Sequence, residues 1–146
     1  MAEIKTVDDE TMQEIAAYRQ RAQTLLALEG ELAADAIVAR INEFVRELKA
    51  EQKTPEEDDI LALGILLGYQ YVEGLSWHWG EAIWDGDEES AAIGVLSHDN
   101  SVFINTMYWM NEVLTSERPT NFMLNYNMVK AGRMPPAQPG DAVGFY

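Results

Sequence analysis

The chain has 146 residues, 47% of them hydrophobic and 10% aromatic, a composition that suits one globular domain and excludes a disordered chain. Its formal net charge is −15, from 25 Asp and Glu against 10 Lys and Arg, and such a field repels nucleic acid and anionic membranes. Because there is no cysteine, disulfides, thiolate nucleophiles and Cys-ligated metals are excluded.

Two amphipathic helices are predicted in the first third of the chain. The first covers residues 9–28, with Asp8 or Asp9 as its N-cap and Gly30 as its end. The second covers residues 32–51, where apolar residues recur every three or four positions. The short connection between them predicts an antiparallel helical hairpin.

A third helix is predicted to be the centre of the fold. Thr54 is expected to cap it, Pro55 suits its first position and Glu57 completes a capping box. Residues 60–72 are apolar on nearly every side, which is typical of a buried helix. Gly74 is expected to end the helix.

Two glycines inside this helix predict a close contact. Gly64 and Gly68 lie four residues apart and therefore on one helical face. Without side chains there, another segment of backbone can approach closely, so we expect a packing contact at this face.

Strand patterns follow the third helix. Residues 75–84, 91–96 and 101–105 are rich in β-branched and aromatic residues, and polar turns at residues 85–89 and 97–100 separate them. The pattern predicts a three-stranded antiparallel meander packed on the central helix.

Two short helices, at residues 108–115 and 121–130, are predicted to complete the domain. The expected fold is therefore α+β, with an N-terminal helical hairpin, a central apolar helix, the meander and two C-terminal helices, in a single domain of residues 1–133. Residues 134–146 form a Pro/Gly-rich tail, which either packs back through its two final aromatic residues or stays loose as a short binding motif.

The middle of the chain carries a recognisable order of motifs. A Leu-Gly pair and a second glycine on a helix are followed by a Leu-x-Trp-x-Trp strand and a Val-Phe strand, at Leu63, Gly64, Gly68, Leu75, Trp77, Trp79, Val102 and Phe103. Over residues 55–115 this order resembles a bacterial family known only as a domain of unknown function. The resemblance implies a helix followed by a small antiparallel sheet, and it implies no activity or catalytic residue.

The negative charge is concentrated in the middle of the sequence. Residues 54–117 hold thirteen acids and no Lys or Arg, whereas residues 1–53 hold eleven acids and seven bases, and residues 118–146 hold one acid and three bases. A basic partner would approach this acidic segment faster than a neutral one would. The alternative is that the acidic surface only keeps the chain soluble.

The first predicted hairpin turn is the candidate contact with a partner. The acids at the start of the third helix have a capping role, whereas those of the turn have no duty beyond turn formation. Trp84 borders them and is expected to act as an aromatic anchor. The candidate partner-binding residues are Trp84, Asp85, Asp87, Glu88 and Glu89.

A ligand pocket is the alternative site. The aromatic residues Trp77 and Trp79 with His78 and His98 could line it, with a histidine as acid or base. The acidic turn lacks the register of a calcium-binding loop and the histidines lack metal-ligand spacing, so we expect no metal, no cofactor and no catalytic residue.

Two functions remain open from the sequence. The first is a non-enzymatic acidic binding protein that docks a basic protein partner, for example an immunity or inhibitor protein against a basic toxin. The second is a small enzyme or ligand-binding domain that uses the tryptophan-lined pocket with His78 or His98. The chain lacks a signal-peptide pattern and an apolar run long enough to cross a bilayer, so we expect a cytoplasmic protein that binds neither nucleic acid nor membrane.

Overall fold

Five α-helices and a five-stranded mixed sheet make up the α+β fold in the computed structural model, which describes residues 2–146. The helices are α1 Asp9–Leu25, α2 Ala34–Ala50, α3 Glu57–Leu75, α4 Thr106–Thr115 and α5 Phe122–Lys130. The strands are β1 Ala2–Lys5, β2 His78–Trp84, β3 Ala92–Leu96, β4 Val102–Ile104 and β5 Val143–Gly144. No helix within residues 2–146 is both long and apolar enough to cross a membrane.

Helix α3 is the buried centre of the fold, as its all-round apolar sequence predicts. Helices α1, α2 and α4 all pack on it, and it also contacts β2 and β3. Its buried positions run almost without a break along the middle of the helix, at Ile60, Ala62, Leu63, Gly64, Ile65, Leu66, Leu67, Gly68, Tyr69, Gln70 and Tyr71.

The predicted capping box at the start of α3 is wrong. Glu56 is the N-cap, so Thr54 lies outside the helix. The side chain of Glu56 makes no capping hydrogen bond. The acids of this turn bond to α1 instead: Asp59 accepts a hydrogen bond from Arg21 at 2.7 Å, and Asp58 accepts one from the Tyr18 hydroxyl at 3.2 Å.

The two inner glycines of α3 make the close contacts that their spacing predicts. A Cβ on Gly64 would lie 2.7 Å from the Cα of Met107, which is the predicted approach of backbone. At Gly68 the close neighbours are side chains instead, because a Cβ there would lie 2.5 Å from the Trp79 ring and 2.9 Å from Oγ1 of Thr106. Gly74 does not end the helix as predicted, because α3 continues to Leu75. Gly74 instead makes the same kind of close contact, with the side chain of Tyr126. The left-handed residue that ends it is Ser76, with φ 60°.

Helices α1 and α2 do not form the predicted hairpin. Both pack on α3 rather than on each other, and α2 also packs on α5. Asp8 caps α1 as predicted, accepting from the Thr11 N–H at 2.7 Å, but the helix ends at Leu25, well before Gly30. The buried apolar residues of α1 and α2 lie in apolar clusters to which α3 also contributes.

The sheet is wider than the predicted meander. The antiparallel strands β2, β3 and β4 are present, and β1 adds antiparallel to β2 while β5 adds parallel to β4. The segment that leads into β5 also approaches β1, because the Ala2 N–H donates to the carbonyl of Gly140 at 3.0 Å. The sheet therefore curls around a small apolar cluster that includes Ala82, Leu96, Phe103 and Ala142.

The C-terminal segment packs back onto the domain, which was one of its two predicted states. Beyond β5, the Phe145 N–H donates to the Phe103 carbonyl, and the ring of Tyr146 stacks on Trp109 with centroids 5.8 Å apart. A buried polar chain also holds it: the Tyr71 hydroxyl donates to Asn125 Oδ1 at 2.6 Å, and Asn125 Nδ2 donates to the Phe145 carbonyl at 3.3 Å. The central helix, α5 and the tail are thus joined by one network.

We expect the fold to lose stability in alkali because of its buried tyrosines. Burial raises the pKa of Tyr71 and of Tyr126 above the usual value of about 10. Each folded-state pKa lies above its unfolded value, so this stabilisation is complete below pH ~10 and is lost as the pH rises further. Urea unfolding of wild type and Tyr71→Phe between pH 8 and 11 measures this loss of stability. The stability of the variant should fall less steeply above pH ~10; parallel curves would contradict the prediction.

Candidate functional site

The tip of the β2–β3 hairpin is built by a tight turn. Asp85 and Gly86 have φ values of 55° and 71°, and the Asp87 N–H donates to the Trp84 carbonyl at 3.0 Å. Positive φ at both central residues suits a two-residue hairpin turn, and the Asp-Gly pair is a preferred sequence for it. A single 3₁₀ turn, Glu88–Ser90, follows before β3 begins.

All four acids of the tip are exposed to solvent. Asp87 does have a structural role, because its carboxylate accepts from the Glu89 N–H at 3.0 Å and caps the 3₁₀ turn. Glu88, Glu89 and Asp85 extend from the same short loop. The predicted cluster is therefore assembled as one surface, which we call the acidic tip (residues 85–89).

The acidic tip, like most acids of the middle segment, forms no ion pair within residues 2–146; only Glu56, Asp59 and Glu73 of this segment are paired. Glu73 forms a bidentate ion pair with Arg19, and Asp59 forms an ion pair with Arg21. Within residues 2–146, no Lys or Arg forms an ion pair with the tip. Its four charges are therefore directed at solvent, while part of the charge elsewhere in the segment holds α1 against α3.

Trp84 contributes to the fold as well as to the tip. Its ring meets that of Phe103 edge-on at 5.2 Å between centroids, and its indole N–H donates to the Ala142 carbonyl at 3.2 Å. The side chain is therefore half-buried against the inner cluster of the sheet, and only part of its surface is exposed to solvent.

The four residues of the alternative pocket do not converge. Trp77 is buried against Tyr71, and Trp79 packs edge-on against Tyr69 at 5.4 Å between centroids. His78 Nε2 is bonded to Asn100 Oδ1 at 2.6 Å, whereas His98 is exposed in the next turn. Within residues 2–146, no group of three or more His, Asp or Glu side chains stands where it could hold a metal ion.

A separate apolar pocket opens between α1, α3, β3 and α4, with a volume of about 150 Å³. We call it the α1–α3 pocket; it is lined by Thr11, Glu14, Ile15, Tyr18, Leu61, Ile65, Ile93 and Met107. Ile15 and Tyr18 lie three residues apart on one face of α1, a spacing that predicts a core-facing stripe. The unequal burial along the face, with Tyr18 only half-buried, cannot be seen in spacing alone.

No family model matches the chain, and comparison with curated proteins and with solved structures also gives no match. The resemblance of residues 55–115 to a bacterial domain of unknown function therefore stays a prediction. The acidic tip and the α1–α3 pocket are the two surface features that bear on function.

Proposed function

We propose that this protein is a non-enzymatic acidic binding protein that docks a basic protein partner through the acidic tip. The observation that carries the proposal is that the tip presents four exposed acidic residues, clustered on one loop, that form no ion pair within the described chain. The outward surface of Trp84 belongs to the same contact. An immunity or inhibitor protein that neutralises a basic toxin is one example of this class.

Long-range electrostatics supports the same function. The net charge of −15 attracts a basic partner from a distance, and the tip gathers four acids within five residues without an ion pair in the described chain. Charge of this kind mainly accelerates encounter, whereas residence time depends on desolvated apolar contacts. The function is accordingly expected to show strong dependence of association on salt.

The partner can be isolated by its salt dependence. Immobilised wild-type protein is exposed to host lysate at low salt, and proteins eluted by high salt are identified and purified. A variant with Asp85→Asn, Asp87→Asn, Glu88→Gln and Glu89→Gln serves as the comparison. Asn keeps both the left-handed backbone at position 85 and the cap acceptor at position 87, so the turn should stay intact.

We expect this tip variant to associate with the purified partner about tenfold more slowly at low salt, with a flatter salt dependence and little change in dissociation rate. Surface-plasmon kinetics measures the association rate, its salt dependence and the dissociation rate. The control replaces four exposed acids elsewhere, Glu29, Glu31, Glu43 and Glu47, with Gln and removes the same net charge. If the control slows association equally, net charge rather than the tip is responsible and this site assignment is wrong.

A further inference from the structure

We infer that the α1–α3 pocket receives one apolar side chain from a basic segment of the partner. This inference rests on the proposed function, because it names the apolar contact that accompanies the acidic tip. Charge at the tip accounts for encounter, and a separate apolar contact is needed to lengthen the lifetime of a complex.

The pocket has a closed floor and incomplete walls. Ile15 and Ile65 form the floor and are 4% and 2% exposed. Leu61, Ile93 and Met107 line the walls and are only partly buried, although they belong to the same apolar cluster. Apolar side chains from four different elements thus meet around a space that no residue of the described chain fills.

The volume of the pocket indicates the size of the group that it can receive. A cavity of about 150 Å³ lined by aliphatic side chains is large enough for a molecule the size of benzene. Most small-molecule sites are larger, about 300 Å³ or more. One leucine, methionine or phenylalanine side chain therefore suits this pocket better than a cofactor does.

The acidic residues around the pocket predict that the segment it receives is basic. Glu14 lines the pocket and is exposed on the α1 side, and Tyr18, another lining residue, donates from its hydroxyl to Asp58 at 3.2 Å. Glu81 lies directly across the sheet from Ile93. Cations on the neighbouring elements include Lys5, which faces Glu81 across β1 and β2, Arg21, which is paired with Asp59 at 2.7 Å, and Arg19, which is paired with Glu73. Lys or Arg residues on both sides of the inserted side chain would therefore meet carboxylates.

The pocket and the acidic tip can be covered by one partner. Ile93 follows Glu89 by four residues in the same hairpin, so at most about 14 Å separates their Cα atoms. A standard interface covers about 800 Å² on each partner and easily includes both features. The tip would then guide the approach, and the pocket would hold one apolar side chain.

The test uses methyl NMR of the full chain with labelled Ile, Leu and Met. The probes are the peptides acetyl-Lys-Lys-Leu-Lys-Lys-amide, the same peptide with Ala in place of Leu, and acetyl-Glu-Glu-Leu-Glu-Glu-amide. We expect the leucine peptide to shift the methyl signals of Leu61, Ile93 and Met107, and the alanine peptide to bind about tenfold more weakly. The acidic peptide should leave these signals in place.

Two matched variants locate the effect. Thr11→Phe places a ring at the pocket mouth and should abolish the preference for leucine over alanine. Ala16→Phe adds the same ring to an exposed position on α1 outside the pocket and should preserve that preference. Circular dichroism and urea unfolding establish that both variants are folded.

Failure of this inference is distinguishable from failure of the proposed function. If both lysine peptides bind equally and salt weakens both, the pocket inference is wrong while docking of a basic partner stands. If the acidic peptide shifts the same methyl signals, the preference for a basic segment is wrong. If the tip variant binds the leucine peptide with an unchanged salt dependence, the tip assignment fails and the pocket inference stands.

Discussion

Gly64→Ala should destabilise the protein by about 2–3 kcal/mol, because the added methyl group meets backbone rather than a movable side chain. A Cβ at this position would lie 2.7 Å from the Cα of Met107 and 2.9 Å from the carbonyl oxygen of Thr106. Alanine is favoured over glycine inside a helix by about 1 kcal/mol, and the figure above is net of that gain. Helix α4 has to move away from α3 to admit the methyl group.

Urea unfolding of Gly64→Ala and Gly144→Ala gives a matched comparison. A Cβ on Gly144 would meet nothing within 4 Å, and the backbone there does not require a positive φ. That variant should therefore stay within about 0.5 kcal/mol of wild type. Equal stability of the two variants would show that α3 and α4 are farther apart than described. The predicted contact at this glycine face would then be wrong.

The second large effect is expected at Asn125, which links α5 to both α3 and the C-terminal segment. Asn125→Ala removes the acceptor for the Tyr71 hydroxyl and the donor to the Phe145 carbonyl. A buried polar group left without a partner costs about 1–3 kcal/mol, so we expect a loss of about 3 kcal/mol for this variant.

A double-mutant cycle separates this network from simple loss of packing. In a Tyr71→Phe background the hydroxyl is already absent, so Asn125→Ala should cost about 1–2 kcal/mol less than it does in wild type. Asn127→Ala is the control, because Asn127 is exposed on the same helix. An identical cost of Asn125→Ala in both backgrounds would show that the two side chains are not coupled.

Features determined by local sequence were predicted well. Asp8 caps α1, the apolar residues of α3 are buried, and strands β2, β3 and β4 lie within the predicted segments. Each depends on residues close together in the chain: a polar side chain before a helix, an apolar run, or an alternating pattern between turns.

Features determined by distant partners were missed. Strand β1 has an alternating pattern in Ala2, Glu3, Ile4 and Lys5, but four residues are too few to distinguish from an irregular terminus. Strand β5 is only two residues long and follows a Pro/Gly-rich segment. Both exist because β2 and β4 offer unpaired edges, and that information lies about 40 to 80 residues away in the sequence.

Glycine was misinterpreted where packing outweighs turn formation. Gly74 looked like a helix end, yet its small size admits Tyr126, and Ser76 adopts the left-handed conformation instead. The two candidate sites also differ in whether local sequence or distant residues determine them. The acidic tip could be predicted because the Asp-Gly turn and its charges are contiguous, whereas the α1–α3 pocket required four elements to be placed in space.

The meeting of Ala2 with Gly140 has a consequence for aggregation. Unpaired strand edges are templates on which other copies of a chain can add strands. Here β5 covers β4, whose three residues Val102, Phe103 and Ile104 are all buried and apolar, and the first strand turns toward the same segment. If β5 detached, a short apolar edge would become available for intermolecular pairing. We therefore expect the contacts of Phe145 and Tyr146, which hold the chain end beyond β5 in place, to reduce self-association.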